Sequence, residues 1–159
     1  MPQFDRHELK MLALLQRRGR MPVSELAGEL GLSTTPCARR FDGLQAAGVI
    51  AGFAARLDRQ ALGLSIEVFV QVNLSSHSDG TPERFRADIE RREAVIACWA
   101  MTGDQDFLLH VLVPDVDALN HLVMNELLQI PGVRDVKTNL VLDDVKPSGP
   151  LPLGHLQPR

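Results

Sequence analysis

The sequence contains few of the residues and patterns on which metal sites, membrane spans and common catalytic sites depend. Its two cysteines, Cys37 and Cys98, are too few for a disulfide framework and are typical of buried thiols in a cytosolic protein. The five histidines show no metal-ligand spacing. No apolar run reaches the roughly 18 residues that a membrane span needs, and the first residues do not resemble a secretory signal. Neither a nucleophile elbow nor a phosphate-binding glycine loop occurs, so no motif indicates an enzyme.

Charge is unevenly divided along a chain of 159 residues with a net charge of −3. Residues 1–57 contain eight Lys and Arg against five Asp and Glu, which is a net +3. Residues 58–159 contain nine against fifteen, which is a net −6. A basic head on an acidic body is typical of a module that contacts nucleic acid, joined to a module with another task.

The most specific pattern, within residues 23–57, is a pair of short amphipathic segments separated by a glycine turn. Leu26 and Leu30 are four residues apart and therefore share one face of a first helix. Gly31 ends that helix, and Ser33 is a suitable N-cap for a second one. This is the outline of a helix-turn-helix, in which the second helix enters a groove of DNA.

The second helix divides into a buried stripe and a polar face. Cys37, Phe41 and Leu44 repeat at spacings of four and three residues, which predicts the buried stripe. Gly43 lies inside this helix and should cost about 1 kcal/mol relative to alanine. Polar groups on the rest of the helix can contact phosphates or base edges. The candidate DNA-binding residues of this segment are Ser33, Thr34, Thr35, Cys37, Arg39 and Arg40.

Most of these candidates also have a purely structural interpretation. Ser33, Thr34 and Thr35 can cap the helix, and this role is compatible with phosphate contact because helix N-termini attract phosphate. Arg39 and Arg40 would form a solvated face on an ordinary helix, whereas the surrounding motif favours DNA contact for at least one of them. Arg40 can instead brace the neighbouring helix, because it adjoins the buried stripe.

The flanking segments extend this motif into a complete domain. Upstream, apolar residues recur every three positions in a helix that Asp5 can cap and Gly19 can end. Downstream, residues 48–57 have the pattern of two short strands with a glycine between them. Residues 1–57 are therefore predicted to form a winged helix-turn-helix domain.

The second half of the chain alternates predicted strands and helices after a hinge at 58–64. Residues 65–74 alternate apolar and polar side chains, as in a strand with one buried face. The later predicted elements are a helix at 82–92, strands at 95–102 and 107–113, a helix at 115–129 and a strand at 133–145. This βαββαβ order specifies a ferredoxin-like domain over residues 65–146 with both helices on one face of the sheet, so the fold class is α+β.

Two further features of this half bear on packing. Trp99, the only tryptophan, lies in the middle of a predicted strand and is expected in the core or in an interface. The fourteen residues from Lys146 contain four prolines, which predicts that the tail at 147–159 is an extended or disordered arm.

Taken in order, these motifs resemble the Lrp/AsnC, or feast/famine, family of transcriptional regulators over roughly residues 4–146. The resemblance rests on Asp5 with Leu9 and Leu12, Gly19-Arg20, Glu25-Leu26-Ala27, Gly31-Leu32-Ser33, Thr35-Pro36-Cys37, Arg40, Leu44, Gly48-Val49-Ile50, Gly52-Phe53, Thr102 to Leu109, Pro131-Gly132-Val133 and Thr138. It implies that the second half is a RAM domain, which pairs its sheet with that of a second copy. It also implies double-stranded DNA as a partner, homodimers that often assemble into tetramers or octamers, and an amino-acid effector at interfaces between dimers. No other cofactor and no membrane association are expected.

The loop at 102–106 has groups that suit a free amino acid. Asp104 or Asp106 can accept a charge-assisted hydrogen bond from an ammonium group, and backbone N–H groups around Gly103 can approach a carboxylate closely. The candidate effector-binding residues are Met101, Thr102, Gly103, Asp104, Asp106 and Leu108. The alternative is a plain β-hairpin, because Gly-Asp pairs are common in turns.

The sequence is therefore interpreted as a cytoplasmic, sequence-specific DNA-binding transcriptional regulator and not as an enzyme. A small effector, an amino acid, is expected to modulate its assembly or its DNA affinity. One alternative is an architectural DNA-binding protein without an effector, in which the second half only assembles the heads along DNA. Another is a small enzyme with a ferredoxin-like domain, because fold alone does not assign function.

Overall fold

In a computed structural model, which describes residues 4–76 and 80–156, the chain forms two compact units. One unit comprises Met1–Arg56 together with Lys146–Arg159, and the other comprises Leu57–Val145. The predicted hinge at 58–64 belongs to the second unit, whereas the predicted tail belongs to the first. Parts of the predicted loop before the first helix of the second unit, at 77–79, and of the tail, at 157–159, lie outside the described residues.

The first unit contains the three predicted helices, α1 (Arg6–Arg18), α2 (Val23–Leu30) and α3 (Thr34–Ala46). Asp5 caps α1 reciprocally with Glu8, through two backbone-to-carboxylate hydrogen bonds of 2.8 Å each. Gly19 and Gly31 end α1 and α2 at φ values of 73° and 67°, which favour glycine. The capping and stop signals are thus confirmed for both helices.

The interior of this unit consists of one apolar cluster shared by the three helices. Met11 of α1, Leu26 of α2 and Cys37 of α3 are each completely buried. Leu44, seven residues beyond Cys37, is also buried, and Phe41 between them is half-buried, as the predicted stripe on α3 requires. The helix-turn-helix therefore has its own core, which leaves the opposite face of α3 exposed.

The predicted two-stranded wing is wrong, because residues 47–58 contain neither helix nor strand. Two of its apolar side chains contact the helices: Ile50 packs against the cluster, and the ring of Phe53 stacks on Phe41 at a centroid distance of 6.2 Å, whereas residues 51–58 are exposed. Gly48, at φ 69°, ends the turn after α3. The contacts of Ile50 and Phe53 thus attach this segment to the helices without any hairpin pairing.

The second unit has the predicted βαββαβ order. Its elements are β1 (Ile66–Leu74), α4 (Thr81–Glu90), β2 (Val95–Ala100), β3 (Phe107–Val113), α5 (Val116–His121) and β4 (Val133–Leu140). The antiparallel sheet has the order β2-β3-β1-β4, which confirms the ferredoxin-like topology. β4 ends at Leu140 and not at Val145, because its partner β1 begins at Ile66 and the paired residues end with Val68 and Leu140.

The two faces of this sheet differ in burial. Val68, Val70 and Val72 of β1 are fully buried under both helices, together with Phe85 of α4 and Leu127 of the helical segment after α5. The opposite face carries the alternate residues of each strand. Its apolar members include Phe69, Leu108, Leu112 and Trp99, and Trp99 is 46% exposed.

Trp99 therefore does not lie in the core of the single chain. Its strand partner is Leu108, so its indole belongs to the face of the sheet that the two helices leave uncovered. The interface role remains a prediction.

The last predicted helix changes its winding partway along. After α5 the chain forms a π-helical turn at Leu122–Glu126 and a 3-10 turn at Leu127–Gln129. Leu122 and Leu127, five residues apart, are consequently both buried, whereas the adjacent Leu128 is exposed. An α-helix turns 100° per residue, so only the wider π turn can place residues five apart on one face.

Over residues 146–156, the proline-rich tail is attached to the first unit. Leu153 and Leu156 pack against the apolar cluster of the three helices. The side chain of Gln16 on α1 accepts a hydrogen bond from Leu151 N at 2.6 Å and donates one to Leu151 O at 3.4 Å. The apolar residues between the prolines thus attach the tail to α1 and the apolar cluster, which the proline content alone did not indicate. This contact site is called the seat of the tail below.

Candidate nucleic-acid interface and effector loop

The amino end of α3 presents a group of small polar side chains and one cation to solvent. Ser33, Thr34, Thr35 and Arg39 are all exposed. Ser33 adopts the extended backbone of an N-cap, but its hydroxyl makes no capping hydrogen bond to the helix. The first turn contains no acidic residue, so the positive end of the helix dipole is not neutralised there. This end of α3 can accept a phosphate or approach a base edge.

Cys37 is wrong as a DNA-contacting residue. Its side chain is completely buried in the cluster of the three helices. Burial raises the pKa of the Cys37 thiol, against a smaller opposing effect of the Arg40 charge, so the group stays neutral and unreactive. The spacing of Cys37, Phe41 and Leu44 correctly predicted that Cys37 is buried, whereas its position in the motif wrongly suggested DNA contact.

Arg40 braces α3 against the start of α1. Its Nε and Nη2 atoms donate to Asp5 Oδ2 at 3.1 and 2.9 Å, and its side chain is 24% exposed. Burial would raise the pKa of Asp5, but hydrogen bonds from Glu8 N and Arg40, with the Arg40 charge, lower it below 3.8. The structural alternative for Arg40 thus has direct geometric support, and Arg39 is the solvent-facing cation of the pair.

A further residue on this face was not anticipated from the motif. Asp42 is exposed and follows Thr35 and Arg39 at positions i+7 and i+3, so the three side chains share one helical face. A carboxylate there repels phosphate but can accept a hydrogen bond from a cytosine amino group. The i+3 spacing from Arg39 was the sequence signal for it.

The pairing of Asp5 with Arg40 gave no local signal in the sequence, because the two residues are 35 positions apart.

The loop between β2 and β3 is held at its base by contacts with β1. Asp106 Oδ2 accepts a hydrogen bond from Leu74 N at 2.7 Å, and Asp106 N donates to Asn73 Oδ1 at 3.1 Å. Across the loop, Met101 N donates to Asp106 O at 2.9 Å. These bonds lie where the β1–β4 register shifts between Asn73 and Leu74. Asp106 therefore fixes the loop, and Asn73 is a residue of this site that sequence reasoning missed.

The tip of the loop is open to solvent. Met101, Thr102, Gly103 and Asp104 are exposed, and Gly103 has a φ of 109°, which favours glycine. Within the part of the chain that the structure describes, the Asp104 carboxylate makes no hydrogen bond or ion pair. Leu108 lies half-buried on the face of the sheet that carries Trp99. The structure thus brings five of the six candidates to the loop and its base, and places Leu108 on the sheet face beside it.

Other site chemistries find no counterpart among residues 4–76 and 80–156. No group of three or more His, Cys, Asp or Glu side chains lies close enough together there to hold a metal ion. No helix in the same residues is long and apolar enough to cross a membrane.

Comparison with protein families gives two matches that together span most of the chain. Residues 4–45 match the AsnC-type helix-turn-helix domain, and residues 67–151 match the Lrp/AsnC ligand binding domain. The second match extends beyond residue 146, where the resemblance was expected to end, and includes the first anchored residue of the tail, Leu151.

Curated and solved relatives agree with these matches. The leucine-responsive regulatory proteins of Salmonella typhimurium and Escherichia coli are each 37% identical over 148 residues, which is 93% of this chain and 90% of theirs. A transcriptional regulator from Neisseria meningitidis, solved as a complex with L-Met, superposes with a TM-score of 0.92 at 33% identity and covers 96% of this chain and 99% of that one. An AsnC family transcriptional regulator from Agrobacterium tumefaciens gives 0.89 at 34% identity, with 97% and 100% covered.

Proposed function

Because the chain belongs to the Lrp/AsnC family of transcriptional regulators, we propose that the amino end of α3 enters the major groove of its DNA target. Ser33, Thr34 and Thr35 contact phosphates at the helix N-terminus, and Arg39 contacts a phosphate or a guanine edge. The observation that carries this proposal is the exposure of these four residues on a helix whose other face is fully packed.

The protein is a DNA-binding transcriptional regulator with a ligand-binding domain, and it is not an enzyme. We place it in the cytoplasm, a location that suits a regulator with a helix-turn-helix domain.

The proposed effector is a free amino acid bound at the loop between β2 and β3, with no resident cofactor. Asp104 accepts the ammonium group, because the Asp106 carboxylate is engaged by the backbone of β1. Backbone N–H groups around Gly103 bind the carboxylate, and Met101, Thr102 and Leu108 surround the side chain of the ligand. The L-Met complex of the Neisseria relative supports this ligand class.

The proposed assembly is a homodimer formed by the uncovered faces of two sheets, which associates further into a tetramer or an octamer. Trp99, Phe69 and Leu108 form an apolar strip on that face, and a tryptophan that is 46% exposed suits an interface. A second copy also doubles the modest positive charge of the DNA-binding unit. Sedimentation of a Trp99→Glu variant tests this step, since an unchanged mass would contradict it.

The effector acts by linkage in this scheme. A ligand that binds one assembly state more tightly than another shifts the population of that state by the ratio of its affinities. DNA affinity then changes because the assembly states differ in how many DNA-binding units can bind the same DNA molecule.

The test is binding to the DNA upstream of the gene for this protein, with and without a mixture of the twenty amino acids, across a series of salt concentrations. Specific binding that the mixture changes is expected, and the log affinity should fall linearly with log salt because phosphate contacts release counterions. Arg39→Ala should weaken binding, and Asp104→Asn should remove only the response to amino acids. Loss of specific binding under all conditions would contradict the assignment of α3.

The architectural alternative remains distinct in this experiment. Specific binding with no response to amino acids, and no heat when they are titrated onto the full chain, would favour an effector-independent protein. The L-Met complex of the Neisseria relative and the exposed Asp104 carboxylate favour the ligand-binding form.

A further inference from the structure

The tail after the second unit returns to the first unit, so the chain crosses between the units twice. It leaves the helix-turn-helix unit at Arg56 and comes back to it at Lys146. Every residue of the ligand-binding unit lies between these two crossings. The helix-turn-helix is therefore connected at its own carboxyl end and again through the seat of the tail.

The seat of the tail combines apolar packing with a two-way hydrogen bond. Leu153 and Leu156 are half-buried against the cluster that contains Leu12 and Leu15 of α1. Gln16, one residue beyond Leu15, receives and donates the two backbone bonds of Leu151. Because the amide of Gln16 satisfies both the N–H and the C=O of one residue, it fixes the position of the tail along α1.

The contacts that hold the tail in this seat are few and partly exposed to solvent. The tail leucines form one wall of a cavity of about 600 Å³, whose other walls include α1 and residues 49–54. A segment held by two half-buried leucines and two exposed hydrogen bonds can leave without disturbing the core, since the completely buried Met11, Leu26 and Cys37 do not line this cavity.

The tether between the second unit and this seat is short. From Lys146 to Leu151 there are five residue steps, which span at most about 18 Å when fully extended. One flexible connection leaves a domain free to rotate about it, whereas two separate connections remove most of that freedom. Prolines at 147 and 150 stiffen this short tether further.

We propose that residues 146–156 are a releasable second tether that couples the ligand-binding unit to the helix-turn-helix. The interaction surface is the α1 groove around Gln16, and its occupant is the leucine-rich tail of the chain itself. With the tail seated, a change in the ligand-binding unit reorients the DNA-binding unit. With the tail released, the two units move independently and the DNA affinity no longer responds to the effector. The coupling part of this inference rests on the proposed function, whereas the tether does not.

The test compares the full-length Leu153→Ser/Leu156→Ser variant with Leu151→Ser, whose side chain is 75% exposed, as a control of identical chemistry on the same tail. Small-angle X-ray scattering of the double variant should give a larger radius of gyration and a wider distance distribution, with unchanged helix content by circular dichroism. The control should match the wild type. Gln16→Ala provides a second release variant that leaves all tail leucines in place. Wild-type scattering from both release variants would overturn the tether.

The second readout is DNA affinity with and without the mixture of twenty amino acids. The ratio of the two affinities should fall to less than about twofold in the release variants, against the 5–150-fold that is typical of coupled sites, and should persist in the control. If a release variant has a larger radius of gyration but its DNA affinity still responds fully to amino acids, the coupling role is overturned. A wild type without any response would contradict the proposed effector and the coupling role, while the scattering would still decide the tether.

Discussion

Replacing Arg39 or Arg40 by alanine should produce two different defects, although the residues are neighbours on α3. Arg39 is exposed and makes no contact that stabilises the fold among the described residues, so Arg39→Ala should change the free energy of unfolding by less than about 0.5 kcal/mol. The same variant should lose DNA affinity. If the contact is to phosphate, the salt slope falls by about 0.9 per head, and if it is to a guanine edge, the loss is about 1–3 kcal/mol for the cognate site.

Arg40→Ala should act mainly on stability. Its ion pair with Asp5 joins side chains that are 24% and 36% exposed, a setting in which such pairs contribute about 0.2–1 kcal/mol. Asp5 keeps its capping bond with Glu8 in this variant, so α1 retains its cap. DNA affinity should fall by less than in Arg39→Ala, through small displacements of α3.

The pH dependence of this stability difference gives an independent check. Asp5 has a pKa below its ordinary value of 3.8 in the folded chain, partly because of Arg40. The stabilisation is therefore complete above that ordinary value and is lost as the pH falls through the lowered one. Urea unfolding of wild type and Arg40→Ala should thus differ most near neutral pH and converge on acidification.

The two measurements together can refute this reasoning. Urea unfolding gives the stability of each variant, and fluorescence anisotropy with a labelled upstream DNA gives its affinity across a salt series. If Arg40→Ala leaves stability unchanged and weakens DNA binding as much as Arg39→Ala, then Arg40 is a DNA contact and the brace to Asp5 has no energetic role.

Four further substitutions follow from the backbone and the loop. Gly43→Ala should raise the free energy of unfolding by up to about 1 kcal/mol in urea titrations, because Gly43 lies inside α3 and a methyl group there meets no atom within 4 Å. Gly132→Ala should instead destabilise by about 1–3 kcal/mol in the same assay, because its φ is 94° and its Cβ would lie 2.3 Å from Thr81 Cγ2; equal effects of the two glycine changes would contradict both assignments. Asp104→Asn should weaken amino-acid binding about tenfold or more by calorimetry at unchanged thermal stability, whereas Asp106→Ala should lower the melting temperature, since it leaves a β1 amide without its acceptor. A stable Asp106→Ala variant that has lost only ligand binding would reverse these two roles.

Much of the fold could be predicted because its signals are local. The caps at Asp5 and Gly31 lie within one helical turn of the residues that they serve, so the helix boundaries follow from short-range hydrogen bonds. The strand β1 could be recognised because every second side chain is apolar and the period of a strand is two. The motif order then indicated the family, which in turn implied the functions of both domains.

The failures lie where distant residues compete for the same contact. The segment 47–58 had the composition of a hairpin, but it forms no strand, and its Ile50 and Phe53 contact the helix cluster and Phe41. The helix at 115–129 followed a 3.6-residue period in the sequence, whereas the structure has a π turn at Leu122–Glu126, with Leu127 buried and Leu128 exposed. The proline content of the tail indicated an extended or disordered arm. Nothing in the sequence indicated its contact site, because the apolar cluster that Leu153 packs against is more than 100 residues away in the chain.

The candidate sites divide in the same way. By itself, the sequence determined the two helices of the DNA-binding motif, the βαββαβ order and the group of polar residues at each site, because each depends on spacing within a few residues. Only the tertiary structure decided which members of each group are available. Cys37 is buried, Arg40 is paired with Asp5, and Asp106 is engaged by β1, whereas Arg39 and Asp104 face solvent. The reason is physical: availability depends on whether a side chain already has a partner, and those partners lie about 30 residues or more away along the chain.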